Sequence, residues 1–219
     1  LVGSEMCIRD SGTSNNYESA TATSASISLT KADALVVSAN PLASYTYTGS
    51  TASVIPSATI SGLVWVDTRS SLQLKFSSDS PPYPLSAMAP TDAGTYSITP
   101  SDLVLSNGRS LDNYIGVSYE TSTFTIDKAS QIAFSNYVQL FGILGTSFQL
   151  YPYGGSGDGA VSYSVVDGSA TGCAISGSTL TAATAGNCQV TIAKSETANY
   201  LATESTFPVT FYLFIPTYE

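Results

Sequence analysis

Cys173 and Cys188 are the side chains of this 219-residue chain whose type and spacing most directly imply chemistry. They flank the stretch Ala174 to Ala182 and the turn Thr184 to Asn187. Two thiols near the ends of short apolar runs, in one segment, read as a disulfide that closes a local loop. Closing a loop of this length is worth roughly 3 kcal/mol in the chain-entropy account. The alternative is a pair of reduced thiols packed as small hydrophobes. A zinc site is weaker still, because two thiols fall short of the four ligands a structural zinc takes.

The rest of the inventory argues against catalysis. The chain has no histidine, which removes the commonest general base and metal ligand. A Ser/His/Asp hydrolase is therefore excluded, and no paired carboxylates suggest glycoside chemistry. Asp127 and Asp158 stand alone, without the alternating acidic run of a calcium loop. The expectation is a non-enzyme without metal or cofactor. A Lys–Asn isopeptide bond involving Lys31 or Lys128 needs a buried lysine, which is rare. The candidate binding surface is Tyr151-Pro152-Tyr153, an aromatic pair leading into the loop Gly154-Gly155-Ser156-Gly157-Asp158-Gly159; Trp65 and Tyr83 offer similar faces. Flat rings beside polar loops can stack on sugars, although such residues more often cap cores.

The elements that would carry these residues repeat. Asn16-Tyr17 and Asn113-Tyr114 are each followed, at the same spacing, by Lys31-Ala32 and Lys128-Ala129, with a Ser/Thr-rich alternating stretch between. Asn199-Tyr200 precedes a third alternating run, Thr206 to Phe211. Inside the units, Asp92-Ala93-Gly94-Thr95-Tyr96-Ser97-Ile98-Thr99 aligns with Thr184-Ala185-Gly186-Asn187-Cys188-Gln189-Val190-Thr191. Such self-similarity marks modules strung head to tail. The Asp-x-Gly-x-Tyr form of the first copy is that of a tyrosine corner, whose hydroxyl bonds back to the turn before it. Tyr96 and Cys188 then secure the same corner by different means.

Short β-patterned runs recur at Leu35–Val37, Ala58–Ile60, Leu72–Phe76, Thr95–Thr99, Ile115–Tyr119, Thr123–Ile126, Ala133–Phe134, Phe148–Tyr151, Val161–Val166, Ala174–Ile175, Thr179–Thr181, Gln189–Ala193 and Thr206–Phe211, with turn residues between them. In the last run Phe207, Val209 and Phe211 face one way and Pro208, Thr210 and Tyr212 the other. Helical periodicity is nearly missing. The predicted fold is all-β: two tandem Ig-like β-sandwich modules at 32–128 and 129–213, preceded by the remnant last strand of an upstream repeat at 13–31 and followed by a tail at 214–219. Residues 77–90, with four of the ten prolines, read as an irregular surface loop. The near-absent linker at Asp127-Lys128-Ala129 predicts a semi-stiff junction.

Residues 1–10, Leu-Val-Gly-Ser-Glu-Met-Cys-Ile-Arg-Asp, resemble a translated sequencing-library adapter, and residues 1–12 are set aside as adapter-derived or disordered. Without residues 1–10 the formal charge moves from -9 to -8, and Cys7 leaves one cysteine pair. Charged residues are 11% of the chain, so Ser, Thr, Ala, Gly and Tyr make the surface hydrogen-bonding but weakly charged. The acidic balance, with no basic cluster, excludes nucleic acid as a partner. No apolar run approaches the roughly 18 residues that cross a bilayer, so no membrane insertion is expected.

Gly172-Cys173-Ala174-Ile175-Ser176-Gly177-Ser178-Thr179-Leu180-Thr181, then Ala185-Gly186-Asn187-Cys188 and Asn199-Tyr200, resemble the bacterial Ig-like repeats of long surface proteins. The first unit, with Tyr47-Thr48-Gly49-Ser50, Ala58 to Leu63, Ala89 to Tyr96 and Thr125 to Ala129, is similar to mucin-binding-like (MBG, YDG-type) repeats. That resemblance leaves a β-grasp-like topology open for this unit. It implies extracellular, non-catalytic spacer modules of an adhesin at a bacterial cell surface, with neighbouring repeats of the same chain as partners. Glycans or surface proteins are further candidate partners, through Tyr151 and Tyr153. An accessory module of a secreted polysaccharide-degrading enzyme is the remaining alternative.

Overall fold

A computed structural model of the chain describes residues 27–64, 66–134 and 140–214. Contacts divide the chain after Lys31, and the second compact unit begins at Ala32. Its described residues are all-β, with two single-turn 3-10 segments, Ser106–Gly108 and Leu111–Asn113, and no α-helix. The run of Val, Ile, Thr, Tyr and Phe at alternate positions explains this, because each strand buries one face and wets the other.

The first half contains β1 (Leu35–Ala39), β2 (Tyr45–Thr46), β3 (Ala58–Ser61), β4 (Arg69–Asp79), β5 (Pro82–Ser86), β6 (Gly94–Leu105), β7 (Val117–Glu120) and β8 (Ser122–Asp127). The second contains β9 (Phe141–Ile143), β10 (Phe148–Gln149), β11 (Val161–Asp167), β12 (Ala174–Ser176), β13 (Thr179–Thr181), β14 (Gly186–Lys194) and β15 (Thr203–Tyr212). The larger sheets run β2-β8-β6-β4-β5 and β9-β15-β14-β11; the smaller run β3-β1-β7 and β10-β13-β12.

The two larger sheets share a plan. β8 and β15 each pair antiparallel with the strand that follows the Ala-Gly corner, β6 or β14, and parallel with a short edge strand, β2 or β9. The register also matches. Gly94 sits opposite Ile126 and Tyr96 opposite Phe124, as Gly186 sits opposite Phe211 and Cys188 opposite Val209. The smaller sheets differ: β1 has β7 beside it in parallel, whereas β10, β13 and β12 are antiparallel throughout.

Each half has its own buried clusters. Leu150, Leu180, Val190, Ile192, Val209 and Phe211 form the center of the second, with contributions from both of its sheets. The first has two clusters, one around Phe76, Tyr96, Ile98, Phe124 and Ile126, the other around Leu35, Val37, Leu103, Leu105 and Tyr114. β6 serves both by changing face. Tyr96, Ile98 and Pro100 are buried, and then Leu103 and Leu105. The register against β4 shifts in the same stretch, and Asp102 adopts φ +55°. An extra residue in one strand reverses the side-chain alternation beyond it. Asp102 tolerates the left-handed conformation as aspartate does, with its carboxylate accepting from Ser101 Oγ (2.9 Å) and Lys75 Nζ (3.2 Å).

Several expectations change. Residues 77–90 are not an irregular loop: β4 runs on to Asp79 and turns into β5, so Ser77–Ser86 is mostly hairpin. Its prolines are accommodated because β5 is an edge strand, where a missing N–H leaves no ladder bond unmade. Residues 27–31, the described part of the proposed remnant strand at 13–31, are in no strand, since no described edge pairs with them. Ala133–Phe134 forms no strand either, although Phe134 packs into the core. Residues 1–12 and all but Phe214 of the tail lie outside the described residues, as does Trp65.

Candidate functional site

The Lys-Ala and Asn-Tyr phrases meet in space. Ala32 N donates to Asn113 O (2.8 Å) and Ile115 N to Ala32 O (2.8 Å). Ala129 N donates to Asn199 O (2.9 Å) and Leu201 N to Ala129 O (2.9 Å). Both are isolated parallel bridges, Ala32 with Tyr114 and Ala129 with Tyr200. The alanine that opens each half is thus clipped to the Asn-Tyr turn ahead of that half's final strand. This explains the repeated phrase by backbone pairing. The lysine takes no part in these backbone bonds: Lys128 is partly exposed and pairs with Glu196 across 3.4 Å.

The turn at Asn199 also reaches the other half. Thr197 Oγ1 accepts from Tyr200 N (3.2 Å) and Thr197 N donates to Tyr200 O (3.0 Å), which holds the turn. Asn199 then accepts from Ala93 N through Oδ1 (2.8 Å) and donates through Nδ2 to Asp92 Oδ1 (2.9 Å). A primary amide offers a donor and an acceptor side by side, and here both are used on one corner. Beside this clamp the rings of Tyr47 and Tyr200 meet edge to face, 5.4 Å between centroids. Gly157 completes the contact at φ +78°. A Cβ there would lie 2.8 Å from Tyr200 Cδ2, so only glycine brings the loop so close. An open cleft of about 410 Å³ remains, lined by Tyr47, Asp158, Thr197, Asn199 and Tyr200.

The corner gripped by Asn199 is itself fastened. Tyr96 Oη donates to Asp92 O (2.7 Å), and the ring is buried against Tyr83 and Phe124. Burial pushes the Tyr96 phenol above its ordinary pKa, and the nearby Asp92 carboxylate adds to this. In the second half Cys188 is bonded to Cys173. Asp167 holds the cysteine loop from below, accepting from Gly172 N (3.1 Å) and Cys173 N (2.8 Å).

Around the other tyrosine of the motif lies a polar cluster that the sequence did not announce. Tyr114 Oη donates to Asp67 Oδ2 (2.6 Å) and accepts from Val64 N (3.2 Å). Arg109 Nε stands 3.0 Å from the buried Asp67 carboxylate. Burial raises the Tyr114 pKa, and donation to Asp67 raises it further. The hydrogen bond from Tyr114 and the nearby guanidinium offset the cost of burying that carboxylate.

The expected sugar-facing residues are split. Tyr151 and Tyr153 remain on the surface, 65% and 61% exposed, between β10 and β11. Tyr83 does not: its hydroxyl donates to Met88 O (2.9 Å) and its ring caps Tyr96. The glycine loop after Tyr153 is tied down, with Lys194 Nζ donating to Gly155 O (3.3 Å) and Gly157 O (2.7 Å). Among the described residues no cluster of three His, Cys, Asp or Glu could hold a metal, and no helix is long and apolar enough to cross a membrane. The chain matches no protein-family model and no curated protein.

Proposed function

We propose that this chain is a non-catalytic spacer segment of a large bacterial surface or secreted adhesin-like protein, built from Ig-like sandwiches. The observation that carries the reading is the Asn199 clamp, which spends a repeat-marking side chain on joining one half to the next. A junction with direct polar and aromatic contacts, and only Lys128 between β8 and Ala129, transmits orientation rather than allowing free rotation. The second half supports the Ig-like reading through its strand order, since β10-β13-β12 facing β9-β15-β14-β11 matches a B-E-D sheet over an A′-G-F-C sheet. The first half departs at β7, and the lack of a described α-helix favours a sandwich over a β-grasp there. A disulfide is compatible with an oxidising, extracellular setting.

The test is mechanical. Pulled from its ends, the chain should resist and unfold in two separate events, one for each half, as the separate cores require. Extension without measurable resistance rejects the spacer role.

A second reading, carbohydrate or surface binding, is favoured by the exposure of Tyr151 and Tyr153. Sugars stack on such faces. A glycan array probed with the whole chain, and with Tyr151→Ala, decides it: signal lost in the variant supports binding, and silence from both rejects it.

A further inference from the structure

A strand at the edge of a sheet leaves a row of backbone groups unbonded, and the larger sheets guard these edges with one exception. β2 and β9 are only two and three residues long, and β5 carries Pro82 and Pro84. The part of β4 that β5 leaves uncovered, residues 69–75, carries Arg69 and Lys75 and shifts register against β6. Short length, proline, charge and bulges all keep an edge from pairing. β11 has none of them. It runs for seven residues without proline, lysine or arginine and pairs with β14 without a register shift. It lies within the continuously described stretch 140–214, at the edge opposite β9.

The phase of the ladder shows which of its groups are free. Ser195 N donates to Ala160 O (3.0 Å) and Gly168 N to Asn187 O (3.0 Å), so the even-numbered residues between them bond to β14. The N–H and C=O groups of Val161, Tyr163 and Val165 point the other way and have no partner among the described residues. Apolar side chains line the same edge. Val161 and Val166 are exposed, and Tyr163 and Val165 are only half-buried against the core.

We propose that β11 pairs antiparallel with β11 of a second copy, joining two sheets edge to edge. The occupant is a second copy because the strand complements itself. Full overlap of its seven residues puts the two-fold axis at Ser164. Odd-numbered residues then meet odd-numbered ones, so the free groups of one copy meet those of the other. Tyr163 faces the partner's Val165, an aromatic and β-branched pair of the kind that stabilises sheets. Asp167, the only charge on the strand, faces the partner's Val161 and not a second carboxylate. The contact is isologous and closes at two copies. The net charge of -9 on each copy opposes it, so association is weak. The inference goes beyond the spacer reading and does not rest on it, because the variants below leave the Asn199 junction untouched.

Sedimentation of the full chain from about 10 μM to about 1 mM, in about 0.15 M salt, reads the association. The mean mass should rise with concentration and level off at twice that of the monomer. Ser164 is exposed and its side chain has no partner among the described residues, so charged variants there keep the fold. Ser164→Lys and Ser164→Glu should each weaken the dimer about fivefold or more, since each sets like charges opposite one another at the axis. An equimolar mixture of the two should associate at least as well as the parent chain. Hydrogen exchange gives a second readout in the parent chain itself. The amides of Tyr163 and Val165 should gain protection as concentration rises, whereas that of Ser164, already bonded to β14, should not change. A monomer at every concentration overturns the proposal, and so does growth beyond two copies. A dimer that both variants and both amides leave unchanged, such as one joined through Cys7, overturns it as well.

Discussion

Tyr96 and Cys188 occupy the same place in the two halves, each two residues after the corner glycine and buried opposite the last strand. One secures its corner with a hydroxyl donated to Asp92 O, the other with a covalent bond to Cys173. The corner must be held in either case because it begins the central strand of the larger sheet. Different side chains meet that requirement with different sensitivities.

Reduction should therefore affect only the second half. Breaking the Cys173–Cys188 bond, which spans 15 residues, should destabilise that half by roughly 3 kcal/mol in the chain-entropy model. In force measurements it should lengthen one unfolding event by about 50 Å, the reach of 15 extended residues. Tyr96→Phe should instead cost the first half about 1 kcal/mol, one net hydrogen bond, and leave the response to reductant unchanged. Unfolding curves with and without reductant check both.

Asn199→Ala should remove both cross-half hydrogen bonds and expose the Ala93 amide. The loss is about 1 to 2 kcal/mol of coupling between the halves. Asn199→Asp should be worse, because it places a second carboxylate beside Asp92 while giving up the donor. Hydrogen exchange at Ala93 is the measurement, with protection in the parent chain and fast exchange in both variants.

At the β6 bulge, Asp102→Gly should be close to neutral and Asp102→Val destabilising by about 1 to 2 kcal/mol, since φ +55° suits glycine and strains a β-branched residue. The exposed ion pair with Lys75 contributes little against this. Thermal unfolding of the two variants tests the order.

The alkaline limb of stability should report the buried and half-buried phenols. The folded pKa values of Tyr96, Tyr114 and Tyr163 lie above the ordinary 10.0. The neutral form is favoured in the fold, so this contribution is full below pH 10.0 and is lost as pH rises through the folded values. Tyr114→Phe should reduce the slope above that pH, measured by denaturant titration at successive pH values. Its stability at neutral pH should fall because Asp67 loses its donor.

The larger sheets were legible because their strands alternate cleanly. In β15 the burial of Val209 and Phe211 and the half-burial of Phe207, against exposed Pro208 and Tyr212, follow the pattern seen in the residues alone. The corner was legible through its Asp-x-Gly-x-Tyr spacing, and the cysteine pair through its count. β5 was missed because Pro82 and Pro84 argue against a strand, and only an edge position reconciles them with pairing. β2 and β9 were missed because two or three residues carry no period. Asn199 was read as a marker and not as a ligand, although its recurrence together with the Asp92-Ala93 corner was the available signal. Asp67 lies far from both Arg109 and Tyr114 in sequence, and nothing in its local pattern shows that the three converge.

The most direct test of a stiff, clamped pair of sheets is the alignment of the two halves in a weakly ordered medium, read from residual dipolar couplings of backbone amides. Residues 32–127 and 129–214 should fit one common alignment tensor in the parent chain and two different ones in Asn199→Ala. Two independent tensors in the parent chain would contradict the account, because the halves would then turn freely about Lys128 despite the contacts between them.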